Sequence, residues 1–408
     1  MDKISETQRL LLQLVGCALF GGTVDFPETI DWNALLREAK QQAVLPLAYH
    51  AAKDCFTGEK AEKLENRIND LVVNNMYLEF DHVELHQTME AAGIPYVVMK
   101  GSASAAYYPQ PMLRMMGDVD FLVHREDANR AGEALKALGF LETAERDNPI
   151  HQAYVRSSNP LYRSEWELHW QPNGIPNTPL GEKIWAMLAD SIETSRLAET
   201  ENGSYRVPDD FHHGLMLLIH TAMHLIHSGV GLRHLCDWAV FAARFSAEEF
   251  RATFEARLRE AGLWRFAGAL TAVSVRYLGC PDHSWQGEQD PALLDALMLD
   301  ILSGGNFGKK DDQRLNQAKL LVNRTEGTVH RGAGLRNLVS AMNVKARRSL
   351  PAAKEHPVLL PAGWLLAGMR HMGRIVKGKR PSLHLGHIVE GAAERSELYR
   401  SLELFETE

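Results

Sequence analysis

The chain has 408 residues, 45% of them apolar and 24% charged, the balance of an ordinary soluble globular protein with a sizeable core and length for two or three domains. A net charge of −8 and a pI near 6.1 argue against a protein that coats nucleic acid, which needs clustered Lys and Arg. Cys17, Cys55, Cys236 and Cys280 lack CxxC spacing, so no Cys/His zinc pattern is present, and they read as buried, reduced thiols of a cytoplasmic protein.

Residues 1–92 form a helical region by their apolar spacing. The opening MDKISETQRLLLQLVGCALF carries Glu6, Arg9 and Gln13 and no small-residue cleavage site, so it reads as an amphipathic helix and not a signal peptide. No uninterrupted apolar run is long enough for a transmembrane helix. Asp31 is placed to cap the helix of IDWNALLREAKQQAVLPLAYHAAKD. AEKLENRINDLVVNNMYLEFDHVELHQTMEAAG predicts one long helix stopped by Gly93.

At residue 93 the period changes. IPYVVMKG, DVDFLVH, HQAYVRS and LYRSEWELHW read as strands, the last two around a Ser-Asn-Pro turn at 158–160. REDANRAGEALKALGF reads as a helix ending at Gly139. Residues 93–180 therefore predict one compact α/β unit. From 181 onward the pattern is helical again, a helical domain over 181–330 followed by a basic C-terminal helical region over 331–408. Its clearest helices are DDFHHGLMLLIHTAMHLIHS and LRHLCDWAVFAARF, with others near 247–261, 263–278 and 291–303. The fold class expected is α+β, a small mixed β-sheet core embedded in a mostly helical protein.

The stretch RMMGDVDFLVH places Asp118 and Asp120 two apart on a strand, so both side chains leave one face while Val119 and Phe121 leave the other. Two carboxylates held that close repel, and one would be driven to protonate. A divalent cation removes the conflict; Mg²⁺ takes one or two carboxylates together with substrate phosphates. Solvated aspartates at a strand end are the plain alternative. In MKGSASAAYY, a strand gives way to a helix through Gly101, which permits a tight turn, and Ser102, which offers a hydroxyl and backbone N–H groups to phosphate oxygens. In EWELHW, Glu167 is poised as a third ligand on a neighbouring strand, with Glu165 on the same face as its rival.

These segments resemble the polymerase-beta-type nucleotidyltransferase superfamily: KGSASAAYYPQPMLRMMGDVDFLV with WELHW matches its glycine-serine, its apolar-flanked DxD and its lone later carboxylate. More narrowly the run is similar to a largely uncharacterised group of bacterial nucleotidyltransferases, over roughly residues 30–245. A departure is the longer spacing from Ser102 to Asp118, which carries YYPQPMLRMMG. The resemblance implies that the β-sheet unit is a nucleotidyltransferase core in which Asp118, Asp120 and Glu167 bind two Mg²⁺ (or Mn²⁺) and Gly101 and Ser102 hold the triphosphate of an NTP, with ATP the expected one. Two ions stabilise attacking and leaving oxygens in an in-line displacement, and no covalent intermediate is needed. Asp120 or Glu167 would also accept the proton of an acceptor hydroxyl.

Lys100 and Arg114 are the cations nearest the motif; Arg114 is the stronger candidate for a phosphate contact because its fork matches phosphate oxygens, a salt bridge positioning the DxD strand being the alternative. His169 is expected to point away from Glu167 and is read as structural. His220, His224 and His227 share one helical face, expected to line the nucleotide cleft rather than bind zinc, since no third ligand is evident. Arg233 and Asp237 read as an i,i+4 ion pair. Over 331–380 the chain carries eleven Lys/Arg and a single acid, Glu355. Residues 357–380 offer a peripheral membrane contact, though docking on the acidic body of the chain is the expected role.

The function expected is transfer of an NMP group from an NTP to a hydroxyl or phosphate acceptor, with a protein, peptide or small molecule favoured over nucleic acid by the acidic charge. An RNA- or tRNA-directed or toxin-like enzyme and an inactive nucleotide-binding scaffold are the alternatives. A DxD glycosyltransferase would need a nucleotide-binding α/β unit before the motif, where this chain is helical. A haloacid-type phosphatase would need threonine at 122, which is Leu122.

Overall fold

The computed structural model describes residues 3–143, 148–159, 162–311, 313–321, 339, 342–343, 345–347, 349–354, 356–376 and 385–406. Three helices open the chain: α1 (Glu6–Phe20), α2 (Trp32–Gln41) and α3 (Leu45–Ala52). Ser5 and Gln8 close a capping box at α1, and Asp31 accepts the Ala34 N–H at α2, satisfying N–H groups that a helix start leaves orphaned. The long helix α4 (Gly58–Ala92) stops where Gly93 takes the left-handed conformation at φ 60°.

The sheet that follows is mixed. Strands β1 (Tyr96–Val98), β2 (Val119–Val123), β3 (Leu141–Glu142), β4 (His151–Asn159) and β5 (Tyr162–His169) lie in the order β1-β2-β5-β4-β3. Only β2 and β5 pair in parallel; the other neighbours are antiparallel. The short helix α5 (Ser102–Ala105) joins β1 to the loop before β2, and α6 (Ala128–Ala137) follows β2. Val119, Phe121, Val123, Trp166 and Leu168 all enter one cluster with α4 and α6, where Trp166 meets Phe140 at 4.4 Å. Leu122 and Val97 leave the opposite face, toward a larger cluster built by α1 and the later helices. Every second residue of β2 is thereby committed to the α4 side, and the DxD carboxylates to the other.

After α7 (Pro179–Met187) the structure departs from the helical reading of 181 onward. A two-stranded hairpin, β6 (Arg196–Thr200) and β7 (Gly203–Val207), packs Tyr205 and Val207 into the α4 cluster. The signal was there: RLAET and SYRV flank an Asn-Gly pair, a strong short-range hairpin mark. Helices α8 (Asp210–His227) and α9 (Leu232–Ala242) come next, then further helices including Trp264–Leu278 and Pro291–Gly304 as the apolar spacing predicts.

Toward the C-terminus, residues 322–338 and 377–384 lie outside the described residues, and with them the end of the membrane-contact segment, 377–380. Helix Leu360–Val376 is described, with Leu365 and Met369 exposed. Among the described residues no helix is long and apolar enough to cross a membrane. All four cysteines are free; Cys236 and Cys280 are buried as expected, but Cys17 is only partly buried and Cys55 is exposed.

Candidate functional site

Strand β2 and its parallel partner β5 bring the acids together. In the register Asp120 lies opposite Glu167, and opposed residues of a ladder leave the same face. Asp118 precedes Asp120 by two and shares that face. One carboxylate oxygen from each of Asp118, Asp120 and Glu167 lies within 4.8 Å of the other two. Glu165 stands one pleat further along β5, at the wall of the adjoining cavity, and is not part of this group.

The cluster is only partly neutralised. The Lys100 ammonium sits 3.0 Å from Asp120 Oδ2, and His169 Nε2 stands 3.2 Å from Asp120 Oδ1 and 3.2 Å from Glu167 Oε2. His169 therefore does not point away from Glu167: they are two apart on one strand, and that period puts them on one face. Burial alone would raise the pKa of Asp120, but Lys100 and His169 outweigh it and hold this carboxyl well below the usual range. The charge of Asp120, together with burial, pushes Asp118 up to about 6. Burial opposes protonation of His169, yet its bonds to Asp120 and Glu167 raise its pKa overall.

The turn that delivers Lys100 needs glycine. Gly101 has φ 65° and ψ −117°, the first central position of a type II′ turn, where a side chain is strained. Ser102 is turned inward; its hydroxyl lies 3.2 Å from His82 Nδ1, and it is buried. In this conformation that hydroxyl is occupied by His82, and Lys100 and Gly101 are the members of the Gly-Ser turn that reach the cavity.

The loop from Pro109 to Gly117, the extra length between Ser102 and Asp118, is pinned from two elements, α4 and α9. Asn75 of α4 donates to the carbonyls of Met112 and Arg114 at 2.7 and 2.8 Å. Arg114 Nε and Nη2 donate to the two oxygens of Asp237 on α9 at 2.7 and 2.8 Å, and Tyr108 donates to the same carboxylate at 2.6 Å. Arg233 Nη1 donates to the Met115 carbonyl at 3.2 Å. The helical Arg233–Asp237 pair is thus not the bond formed: Asp237 faces Arg114, whose planar fork takes it in bidentate fashion. The Arg114 fork makes the salt bridge that was the alternative reading, while the residue also lines the cavity. Arg233 makes no ion pair among the described residues and lines the cavity, so it is the loose cation here.

That cavity, of about 380 Å³, is walled by Lys100, Gly101, Asp118 and Asp120 on the sheet side and by His220, Arg233, His234 and Phe307 on the helical side. The histidine face read from α8 reaches it only in part. His220 and His224 gather with His234 of α9, and His227 is outside that group. Burial drives the pKa of His220 and His234 far down and that of His224 to about 3, so all three rings are neutral. His234 carried no sequence mark as their partner, because the turn between α8 and α9 decides which rings meet.

A family model described as "Uncharacterised nucleotidyltransferase" matches residues 28–279, well over half of the chain. A solved structure of an antigenic nucleotidyltransferase-like protein from Paracoccidioides brasiliensis is similar at 16% identity and a TM-score of 0.34, over 50% of this chain and 92% of that one. No curated protein matches the chain.

Proposed function

The chain belongs to this uncharacterised nucleotidyltransferase family, and from that premise we propose that it moves an NMP group from an NTP, ATP first among the candidates, to a hydroxyl or phosphate acceptor at the site of Asp118, Asp120 and Glu167. The observation that carries the reading is the meeting of three carboxylates from two parallel strands, two of them, Asp118 and Asp120, at the wall of a cavity that Lys100 and Arg233 also line. The donor set is all oxygen and crowded enough to hold Asp118 up to about 6, which suits a hard divalent ion, Mg²⁺ or Mn²⁺, on those three side chains. When bound there, such an ion supplies charge neutralisation for the transferring phosphoryl group.

The chain's own residues do the rest. Lys100 and Arg233 offer two cations to the phosphate oxygens, the role expected earlier of Lys100 and Arg114. Gly101 lets the backbone approach. The acceptor oxygen attacks the α-phosphorus, the α–β anhydride bond breaks, pyrophosphate leaves, and the acceptor proton passes to a carboxylate of the triad. The chain's net −8 makes a protein, peptide or small molecule the preferred acceptor over nucleic acid, and a cytoplasmic setting matches its free thiols.

The test is to incubate the protein with labelled NTPs, Mg²⁺ or Mn²⁺ and a cell lysate, and to follow the label into protein, RNA or small molecules. Asp118→Asn and Asp120→Asn are expected to abolish incorporation and to weaken metal-dependent NTP binding while the fold is kept. Label in RNA would favour the RNA-directed alternative. NTP binding without any turnover would favour the scaffold. Incorporation unchanged in the double variant would remove the assignment altogether.

A further inference from the structure

Across the cavity from the carboxylates lies a second cluster with a different chemistry. His220 and His224 stand one turn apart on α8, and His234 meets them from the start of α9. One ring nitrogen of each lies within 4.8 Å of the other two. The rings are 4.4 Å apart for His220–His224, 5.6 Å for His220–His234 and 5.4 Å for His224–His234.

Three further observations point to a ligand. His234 is only 3% exposed, and neither of its ring nitrogens has a hydrogen-bond partner. A buried imidazole with nothing on either nitrogen costs free energy, and buried polar atoms are as a rule answered by something. His224, by contrast, has Nδ1 within 3.0 Å of the Ser228 hydroxyl, which makes Nε2 the nitrogen available to a ligand. That is how a second bond fixes the tautomer and aim of a metal-binding histidine. Phe307 covers the group, its ring 4.8 Å from His224 and 5.4 Å from His234, and it does so from a left-handed backbone at φ 58° that bulky residues rarely adopt.

We propose that His220, His224 and His234 bind one transition-metal ion of the zinc class, separate from the carboxylate site and with a fourth position open to the shared cavity. Three neutral imidazoles suit zinc, nickel, cobalt or copper and not magnesium. Three protein ligands with one position left open is the arrangement of metal sites that meet a substrate or a water. Zinc–nitrogen bonds of about 2.0–2.1 Å would bring the nitrogens to about 3.3 Å from one another, a modest contraction of the group as it stands. Because His220 and His234 line the cavity that also holds Lys100, Asp118 and Asp120, the open position faces whatever occupies that cavity. The inference stands on the histidines alone and does not depend on NMP transfer.

The full-length protein, stripped with a chelator, would be titrated with Co²⁺ and followed by visible absorption, then with Zn²⁺ to displace it. One equivalent of Co²⁺ is expected to bind in the wild type and equally in Asp118→Asn/Asp120→Asn, and excess Mg²⁺ should leave the spectrum in place. His234→Ala and His224→Ala should weaken binding by more than the roughly 10–100-fold that an outer-shell change costs, while His227→Ala leaves it unchanged. Circular dichroism without metal checks that each variant folds, and His220→Gln, on a partly exposed ring, supplies the same readout should His234→Ala fail to. The proposal is overturned if the wild type gives no Co²⁺ spectrum, if the histidine variants bind as the wild type does, or if the carboxylate variant is the one that loses the ion.

Discussion

Asp118, Asp120 and Glu167 differ in what surrounds them, although all three face one point. Asp120 is buried against Lys100 and His169, whereas Asp118 carries the repulsion of its neighbour, only partly offset by Lys100 and Arg233. Glu167 and Glu165 share a strand face, but the ladder sets Glu167, not Glu165, opposite Asp120. That difference gives a sharp residue-level expectation. Glu167→Gln should lower nucleotide incorporation by roughly a hundredfold or more, the scale for losing one group that stabilises developing charge. Glu165→Gln should stay within a few-fold of the wild type in the same labelled-NTP assay. The reverse ranking would move the third ligand to Glu165 and break the link between register and function.

Between elements, the contact that orients the DxD strand is the one from the preceding loop to α9. The Arg114–Asp237 pair is buried, bidentate and reinforced by Tyr108. Removing one partner of such a pair strands the other charge without water. Asp237→Ala is expected to cost about 3–5 kcal/mol in chemical denaturation, and Arg114→Met on that background should restore part of the loss. A cost below about 1 kcal/mol would mean that the loop is held by Asn75 and Arg233 instead. The hairpin β6–β7 shows the same dependence on neighbours: its half-exposed strands have little apolar content of their own, and Tyr205 and Val207 find burial against α4 and β1.

Over the whole molecule, two packed bodies of side chains meet at the sheet, and each has a buried histidine beside it, His82 on α4 and His213 on α8. Burial lowers the pKa of His82 to about 4 and that of His213 to about 3. The unfolded chain takes up these protons below about 6.5, while the folded one refuses them until much lower pH. Stability from these two groups is therefore complete above pH about 6.5 and is lost as pH falls toward 4, by an amount on the order of a few kcal/mol. Urea denaturation at pH 7 and pH 5 should show the loss, and His82→Gln or His213→Gln should flatten it. A slope unchanged in both variants would assign the acid sensitivity to other groups.

The amino-acid sequence by itself determined the helices of the first ninety residues, the β-rich unit after Gly93 and the shared face of the DxD pair. Those follow from local spacing, because periods of 3.6 and 2 and the stop at a glycine act within a few residues. Tertiary structure alone decided which acid stands opposite Asp120, that Asp237 takes Arg114 and not Arg233, and that His234 completes a trio with His220 and His224. Each of those is a meeting of side chains from elements whose relative position no local pattern encodes: a ladder register, a helix crossing and a turn between two helices. His169 is the exception, since its face was legible from the strand period, and its contact with Glu167 follows from that period.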